Sequence, residues 1–247
     1  STIQYHGPND FEVFYVRDGQ EQSVRGNAIV STIPLGFLAQ IITPECSEEV
    51  RQAARGLEFR DLITVNVHIK RQQVSPDTWL YIQDSDILFG RFHEPKNWSR
   101  DMVPDDDHTS LVLECFCSQG DEIWSMTDEE ISERCVRDLV DKLHFIDQED
   151  YEGSTVVRTR FAYPVYDLEY SAKTNRIYEY LGGFEGLHIS GRGGIFRYNN
   201  ADHSIEMGLM LGQKLLGHNI DHMAVNTEDD YQEIIGDDEA QRDKYIF

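Results

Sequence analysis

Ile63, Val65, Val67 and Ile69 alternate with Thr64, Asn66, His68 and Lys70, and this two-residue period predicts a half-buried antiparallel strand. Upstream, residues 11–16 read as a strand, Asp18-Gly19 as a hairpin turn, and residues 28–33 as a buried strand ending at Pro34. Ser47 is suited to cap a short helix through Val50, Ala53 and Ala54 that stops at Gly56. Downstream, residues 79–82 and 87–91 read as a hairpin around Asp84-Ser85-Asp86, and Leu111, Leu113, Cys115 and Cys117 line one face of a further strand. Thr127-Asp128-Glu129-Glu130 has the form of a capping box. It opens a predicted helix with Ile131, Cys135 and Leu139 in line and Val136, Val140 and Leu143 beside them. A strand at 154–161, a helix at 171–181, a short buried strand at 187–190 and a helix at 202–216 that stops at Gly217 complete the pattern. Residues 226–247 are acidic and weakly patterned, and read as a surface tail. Helices and strands mix, hairpins dominate and no repeat is present, which predicts an α+β fold around a mixed, mainly antiparallel sheet.

Composition narrows the partners. The 247 residues carry 45 acids against 22 bases, a net charge of -23. Nucleic acid is excluded as an expected partner, because binding it runs on Lys and Arg neutralising phosphates. No apolar run approaches a membrane span and no signal-peptide pattern opens the sequence, so the expected location is cytoplasmic. Cys115 and Cys117 lack a second pair at metal-binding spacing, so buried reduced thiols and no metal are expected. No Ser-His-Asp or Cys-His arrangement stands out, and no catalytic side chain is assigned.

The candidate chemistry gathers in the stretch ISGRGGIFRYNNADHSI, residues 189–205. A strand, a glycine turn and a helix start near Asn200 or Asp202 aim unpaired backbone N–H groups at whatever lies in front of them. Gly191, Gly193 and Gly194 admit close backbone approach to a ligand. Gly208 and Gly212, one helical turn apart, suit close packing of the helix on a flat partner. The stretch has neither the Gly-x-Gly-x-x-Gly spacing nor the lysine of a phosphate loop. A tight turn with an Asn cap explains the same residues without any ligand.

This motif, together with residues 11–70, resembles the flavin-dependent amine oxidase superfamily. The segment FYVRDGQEQSVRGNAIVSTIPLGFLAQIITP looks like that family's sheet hairpin, its strand before Pro34 and its crossing into the substrate domain. Two branches are similar. Tyr163-Pro164-Val165-Tyr166-Asp167, Gly191-Arg192, Tyr198 and the Arg91–Glu94 stretch resemble the UDP-galactopyranose mutases. Tyr198-Asn199-Asn200-Ala201-Asp202-His203-Ser204-Ile205 is closer to the protoporphyrinogen-oxidase-like proteins, and Asn200 stands where the mutases usually have an acid.

The resemblance implies FAD as cofactor, contacted by Gly191, Arg192, Asn200, Asp202, His203 and Ser204. It implies a small-molecule substrate near Arg91, Tyr163 and Tyr198. Arg192 reads alternatively as a surface arginine paired with an acid, the tyrosines as packing, and Arg91 with Glu94 as a strand-end ion pair. Residues 1–45 would belong to the FAD-binding α/β domain, 46–182 to a substrate domain and 183–225 to the FAD domain again. The family's N-terminal Gly-x-Gly-x-x-Gly unit has no counterpart here. The chain is therefore expected to be the C-terminal part of a longer enzyme, partnered by its N-terminal half, inactive alone and binding FAD weakly or not at all without it. The implied activity is oxidation of a small organic substrate through flavin. Alternatives are a mutase-like isomerase acting on a nucleotide sugar and a non-catalytic binding module.

Overall fold

The computed structural model describes residues 1–225, so the expected acidic tail at 226–247 lies outside the described residues. Strands β1 (Thr2–Gly7), β2 (Asp10–Arg17) and β3 (Gln20–Gly26) form an antiparallel meander. The β2–β3 turn is Asp18-Gly19 as expected, both residues at positive φ (52° and 75°), which gives a two-residue loop the twist of its flanking strands. The buried strand expected at 28–33 is confined to β4 (Ile29–Ser31). After Pro34 the chain turns into a helix that the pattern did not predict, α1 (Leu35–Ile41), followed by β5 (Ile42–Thr43), which joins β1 in parallel. Helix α2 (Glu48–Arg55) begins as expected, with the Ser47 hydroxyl accepting from Val50 N.

The second sheet is antiparallel throughout. It is built from β6 (Phe59–Ile69), β7 (Trp79–Tyr81), β8 (Arg91–His93), β9 (Thr109–Cys117) and, after the short α3 (Glu122–Ser125) and α4 (Asp128–Arg137), β10 (Tyr151–Pro164). The strand order is β10-β6-β9-β8-β7. Ile63, Val65, Val67 and Ile69 are fully buried against Leu111, Leu113, Cys115 and the α4 residues Ile131 and Cys135. The Cys115 and Cys135 thiols touch at 3.7 Å within this core. The expected second strand at 87–91 is displaced: the ladder pairs Trp79 with His93 and Tyr81 with Arg91. Leu88 and Phe89 are drawn into the core instead, and Leu88 N donates to the buried Asp138 carboxylate at 3.0 Å.

Helix α5 (Tyr170–Leu181), strand β11 (Leu187–Ile189), the single turn α6 (Gly191–Gly194) and α7 (Ala201–Leu215) close the described chain. β11 pairs in parallel with β4, bringing residues 29–31 against 187–189. The apolar packing joins residues from both sides of position 46 in one core. Val50, Ala53 and Ala54 of α2 and Ile177 and Leu181 of α5 share a core with Ile3, Phe11, Leu35 and Leu38. The reason is close approach: a Cβ on Gly36 of α1 would lie 2.4 Å from the Ala54 carbonyl oxygen of α2. Gly208 and Gly212, expected to pack against a flat partner, instead face open space among the described residues.

These glycines separate backbone clearance from helix propensity. Gly36→Ala should destabilise the protein by about 2 kcal/mol through forced separation of α1 and α2. Gly208→Ala should stabilise it by up to about 1 kcal/mol, since only the helical cost of glycine is removed. Urea midpoints of the two variants against the parent check both signs.

Candidate functional site

One cluster collects side chains from four separate segments. Arg91 on β8 and Glu114 on β9 are directly opposed in the ladder. Their side chains form a 2.7 Å charge-assisted hydrogen bond, and Glu114 is 4% exposed. The same Arg91 nitrogen, Nη2, donates to the Tyr163 hydroxyl at 2.7 Å, and that hydroxyl donates to Glu114 Oε2 at 2.9 Å. Arg91 was expected either to face substrate or to pair with Glu94. The ion pair is with Glu114 instead, because residues three apart on a strand point to opposite faces. Glu94 is 1% exposed on the other face and accepts from Val74 N, Ser75 N and Thr109 Oγ1.

Tyr163 reaches this cluster through a bulge. The β6–β10 register shifts between Thr159 and Tyr163, and Phe161 sits at φ 57°, which is costly for an aromatic residue. The buried Asp61 carboxylate holds the bulge, accepting from Phe161 N and from Gln119 N, each at 2.8 Å. Tyr198 arrives from the other side. Its ring stacks on Tyr163 with centroids 5.3 Å apart, and its N–H donates to the Tyr166 hydroxyl at 2.8 Å. Arg192, presented by α6, places its guanidinium carbon 4.5 Å from the centroids of both tyrosine rings.

Arg192 has no hydrogen-bond or ion-pair partner among the described residues, and its Nε is buried without one. The alternative of an arginine paired with an acid is therefore overturned among those residues. A cation held on two aromatic faces, with a desolvated donor left over, fits an anionic or carbonyl-bearing ligand such as the phosphates or ring of a flavin nucleotide.

The remaining motif residues form the start of α7. Asn200 N donates to His203 Nδ1 at 3.1 Å, the Ser204 hydroxyl donates to the Asn200 carbonyl at 3.0 Å, and Asp202 is exposed in the first turn. Asn200, His203 and Ser204 thus act in the helix cap, the Asn-capped turn anticipated as the ligand-free explanation. The glycine turn is the helical turn α6, not an open loop. Gly191 holds φ 75°, whereas Gly194 is small because a Cβ there would lie 2.9 Å from the Ser31 carbonyl oxygen. Close approach at Gly194 is therefore to β4, not to a ligand.

Electrostatics keep the phenols protonated. Burial, reinforced by the charge and hydrogen bond of Glu114, pushes the Tyr163 phenol up to about 12. Burial also raises Tyr166 and Tyr198. Burial works against the Arg91 charge, but Glu114 and Tyr163 outweigh it, so the guanidinium is held above its ordinary range. Glu114, Asp61 and Tyr166 were not among the expected site residues. Tyr166 lay within the motif at 163–167, and Glu114 left a signal as an acid inside the apolar run Leu111–Cys117.

Two outcomes follow for the phenols. Glu114→Gln should lower the pH at which Tyr163 ionises, read from phenolate absorbance in a titration. Tyr163, Tyr178 and Tyr180 all have folded values of about 12, above the ordinary value of about 10. A raised folded value means the unfolded chain releases its protons first, so stability is intact below about pH 10 and falls as pH rises toward 12. Denaturant midpoints measured across that window check the slope.

Residues 1–203 match the model of the family described as flavin containing amine oxidoreductase. No curated protein matches the sequence. Among solved structures, a reduced UDP-galactopyranose mutase is similar at TM-score 0.72 and 19% identity, over 87% of this chain and 45% of that one. A protein described as a protoporphyrinogen oxidase from Exiguobacterium sp. 255-15 is similar at TM-score 0.58 and 16% identity, over 78% of this chain and 41% of that one. The chain spans less than half the length of these two structures. At such identities the likeness speaks for the fold, a mixed helix and strand architecture with an antiparallel sheet. With the family match covering most of the sequence, the chain belongs to the flavin containing amine oxidoreductase family.

Proposed function

We propose that this chain forms the substrate-facing part of a flavoenzyme that rearranges a nucleotide-linked sugar, as its structural neighbour's name describes for UDP-galactopyranose. The observation that carries this reading is Arg192, a cation on two tyrosine faces with a buried Nε lacking any partner among the described residues. A diphosphate supplies the anion that such a guanidinium lacks.

Arg91 lies 5.8 Å and Arg192 4.5 Å from the Tyr163 ring, so both guanidinium groups flank the stacked tyrosines. In this reading Arg192 binds phosphate oxygens directly. Arg91 is anchored by Glu114 and presents its remaining donors from a fixed position. Tyr198, kept protonated by burial, donates a phenolic hydrogen bond. The turn α6 carries Arg192 and is the part of this chain that would face FAD. A bound flavin supplies the redox or nucleophilic chemistry, and the protein positions the substrate against it. Oxidation of an amine is the weaker reading, because an uncompensated guanidinium repels a cationic substrate.

Calorimetric titration with UDP tests the anion site on the chain itself. Binding is expected, and Arg192→Ala should weaken it at least about tenfold, the scale of a charge-assisted hydrogen bond. In the full-length protein with FAD and a reductant added, interconversion of UDP-galactopyranose, followed by chromatography, tests the chemistry. Absence of UDP binding would overturn the reading. Flavin-dependent consumption of an amine would replace it with the oxidase.

A further inference from the structure

The turn that leads into β9 is a run of three acids, Asp105-Asp106-Asp107, followed by His108. Thr109 pairs with Ile69, and Ile69 with Tyr151, so His108 sits at the end of the second sheet where β9, β6 and β10 lie side by side. Its imidazole meets two carboxylates from distant parts of the chain. Nδ1 lies 2.6 Å from Asp105 Oδ1 in its own turn, and Nε2 lies 3.4 Å from Glu152 Oε2 on β10. The other anchors of the turn run elsewhere. Lys96 Nζ donates to the carbonyl oxygens of Gln72, Asp106 and His108 at 2.9, 2.7 and 2.9 Å, and Gln72 Nε2 donates to Asp107 Oδ1 at 3.3 Å. Among the described residues, the polar link from this turn to β10 is the pair of His108 and Glu152.

One proton decides whether that link holds. An imidazolium donates from both nitrogens and serves both carboxylates at once, whereas a neutral ring has a single N–H. The shorter contact, to Asp105, keeps that N–H. The Nε2 lone pair then faces the Glu152 carboxylate, two acceptors with no proton between them. We propose that His108 is a pH-operated latch, which in its charged form clips the acidic turn 103–108 to β10 through Glu152, and on losing its proton lets go of Glu152 while keeping Asp105. The surrounding charges set its working range. Lys70, which follows β6, opposes the imidazolium, and Asp105 and Glu152 favour it. Asp106 and Asp107 belong to the same turn, Lys96 is spent on carbonyl oxygens, and Asp150 is taken up by Arg71 at 2.7 Å. The Asp105 hydrogen bond, then the charges of Asp105 and Glu152, outweigh partial burial and Lys70 and hold His108 above its ordinary range. The latched contact is therefore fully present below the ordinary histidine value of about 6.5 and is lost as pH rises through the higher folded value. Asp106 also lines an open polar cavity of about 410 Å³ with Gln72, Gln73, Lys96, Asn97 and Arg100, so the latch sets the position of one wall of that cavity.

Histidine ring NMR and backbone hydrogen exchange on the whole chain, between about pH 5 and 9, test the latch on either side of the ordinary histidine value. His108 should titrate above about 6.5, and Glu152→Gln should lower its midpoint. Exchange protection of residues 103–108, corrected for the intrinsic effect of pH on exchange, should fall about two- to fivefold through that titration, the scale of a solvent-exposed ion pair. His108→Gln should abolish the step and leave the turn at its released level at every pH. Glu152→Gln should shrink the step while the contact between His108 and Asp105 remains. Both side chains lie outside the apolar core, and the Glu152 variant decides the matter should His108→Gln fail to fold. A His108 midpoint at or below the ordinary value, unchanged protection through the titration, or a step that survives His108→Gln would overturn the proposal.

Discussion

Glu114 is the group on which the site depends. Its carboxylate lies in the middle of a sheet, is almost out of reach of water, and is balanced by Arg91 and by the Tyr163 hydroxyl. A buried charge of this kind persists only if its partners stay in place, and removing one partner leaves the other charge stranded at a cost of several kcal/mol, about 3–5 in comparable pairs. The three groups come from β8, β9 and the end of β10, so one carboxylate ties the edge of the sheet to the bulge at its far side. Arg91, held in this way, is a fixed element of the surface and not a mobile surface arginine.

The same demand for fixed position explains the strained backbone nearby. Phe161 and Phe196 both adopt positive φ, at 57° and 49°, and each lies two residues before a site tyrosine. Neither is left to hold that conformation alone. Phe59 meets both rings edge-on, at 5.6 and 5.1 Å, and Phe37 meets Phe161 at 5.0 Å. Asp61 fixes the Phe161 amide. This aromatic chain runs from α1 across β6 to the segment after α6, and so backs the place where Tyr163 and Tyr198 stack. Strain concentrated beside a site, and paid for by surrounding packing, is a frequent arrangement in functional regions.

Much of the fold was legible where one residue's environment repeats along an element. The β6 alternation, the Asp18-Gly19 turn and the Thr127 cap with its Glu130 return bond each arise from local chemistry and appear as expected. Helix α1 was not legible, because it is short, has no capping side chain and begins at Pro34. The β7–β8 register depends on Asp138, fifty residues away from Leu88, and no local pattern carries that information. At the site, Arg91, Tyr163, Tyr198 and Arg192 were picked out by resemblance to a family, and the structure brings these four together. Spacing alone misassigned the partner of Arg91, because Glu94 is near in sequence but on the opposite face of the strand. The cap residues Asn200, His203 and Ser204 show how one set of side chains satisfies a helix start and a ligand motif equally well in sequence.

Arg192 also has a kinetic meaning. The whole chain carries a net charge of -23, so an anion approaching from far away meets a repelling field, and meets the attraction of one uncompensated guanidinium only at close range. Added salt shortens the reach of the first force to about 8 Å at physiological strength while weakening the short contact less. In the proposed reading, capture of an anion at Arg192 would quicken as salt rises, the reverse of the usual behaviour of arginine sites on basic proteins, and the acidity of the surface would gate the rate of entry.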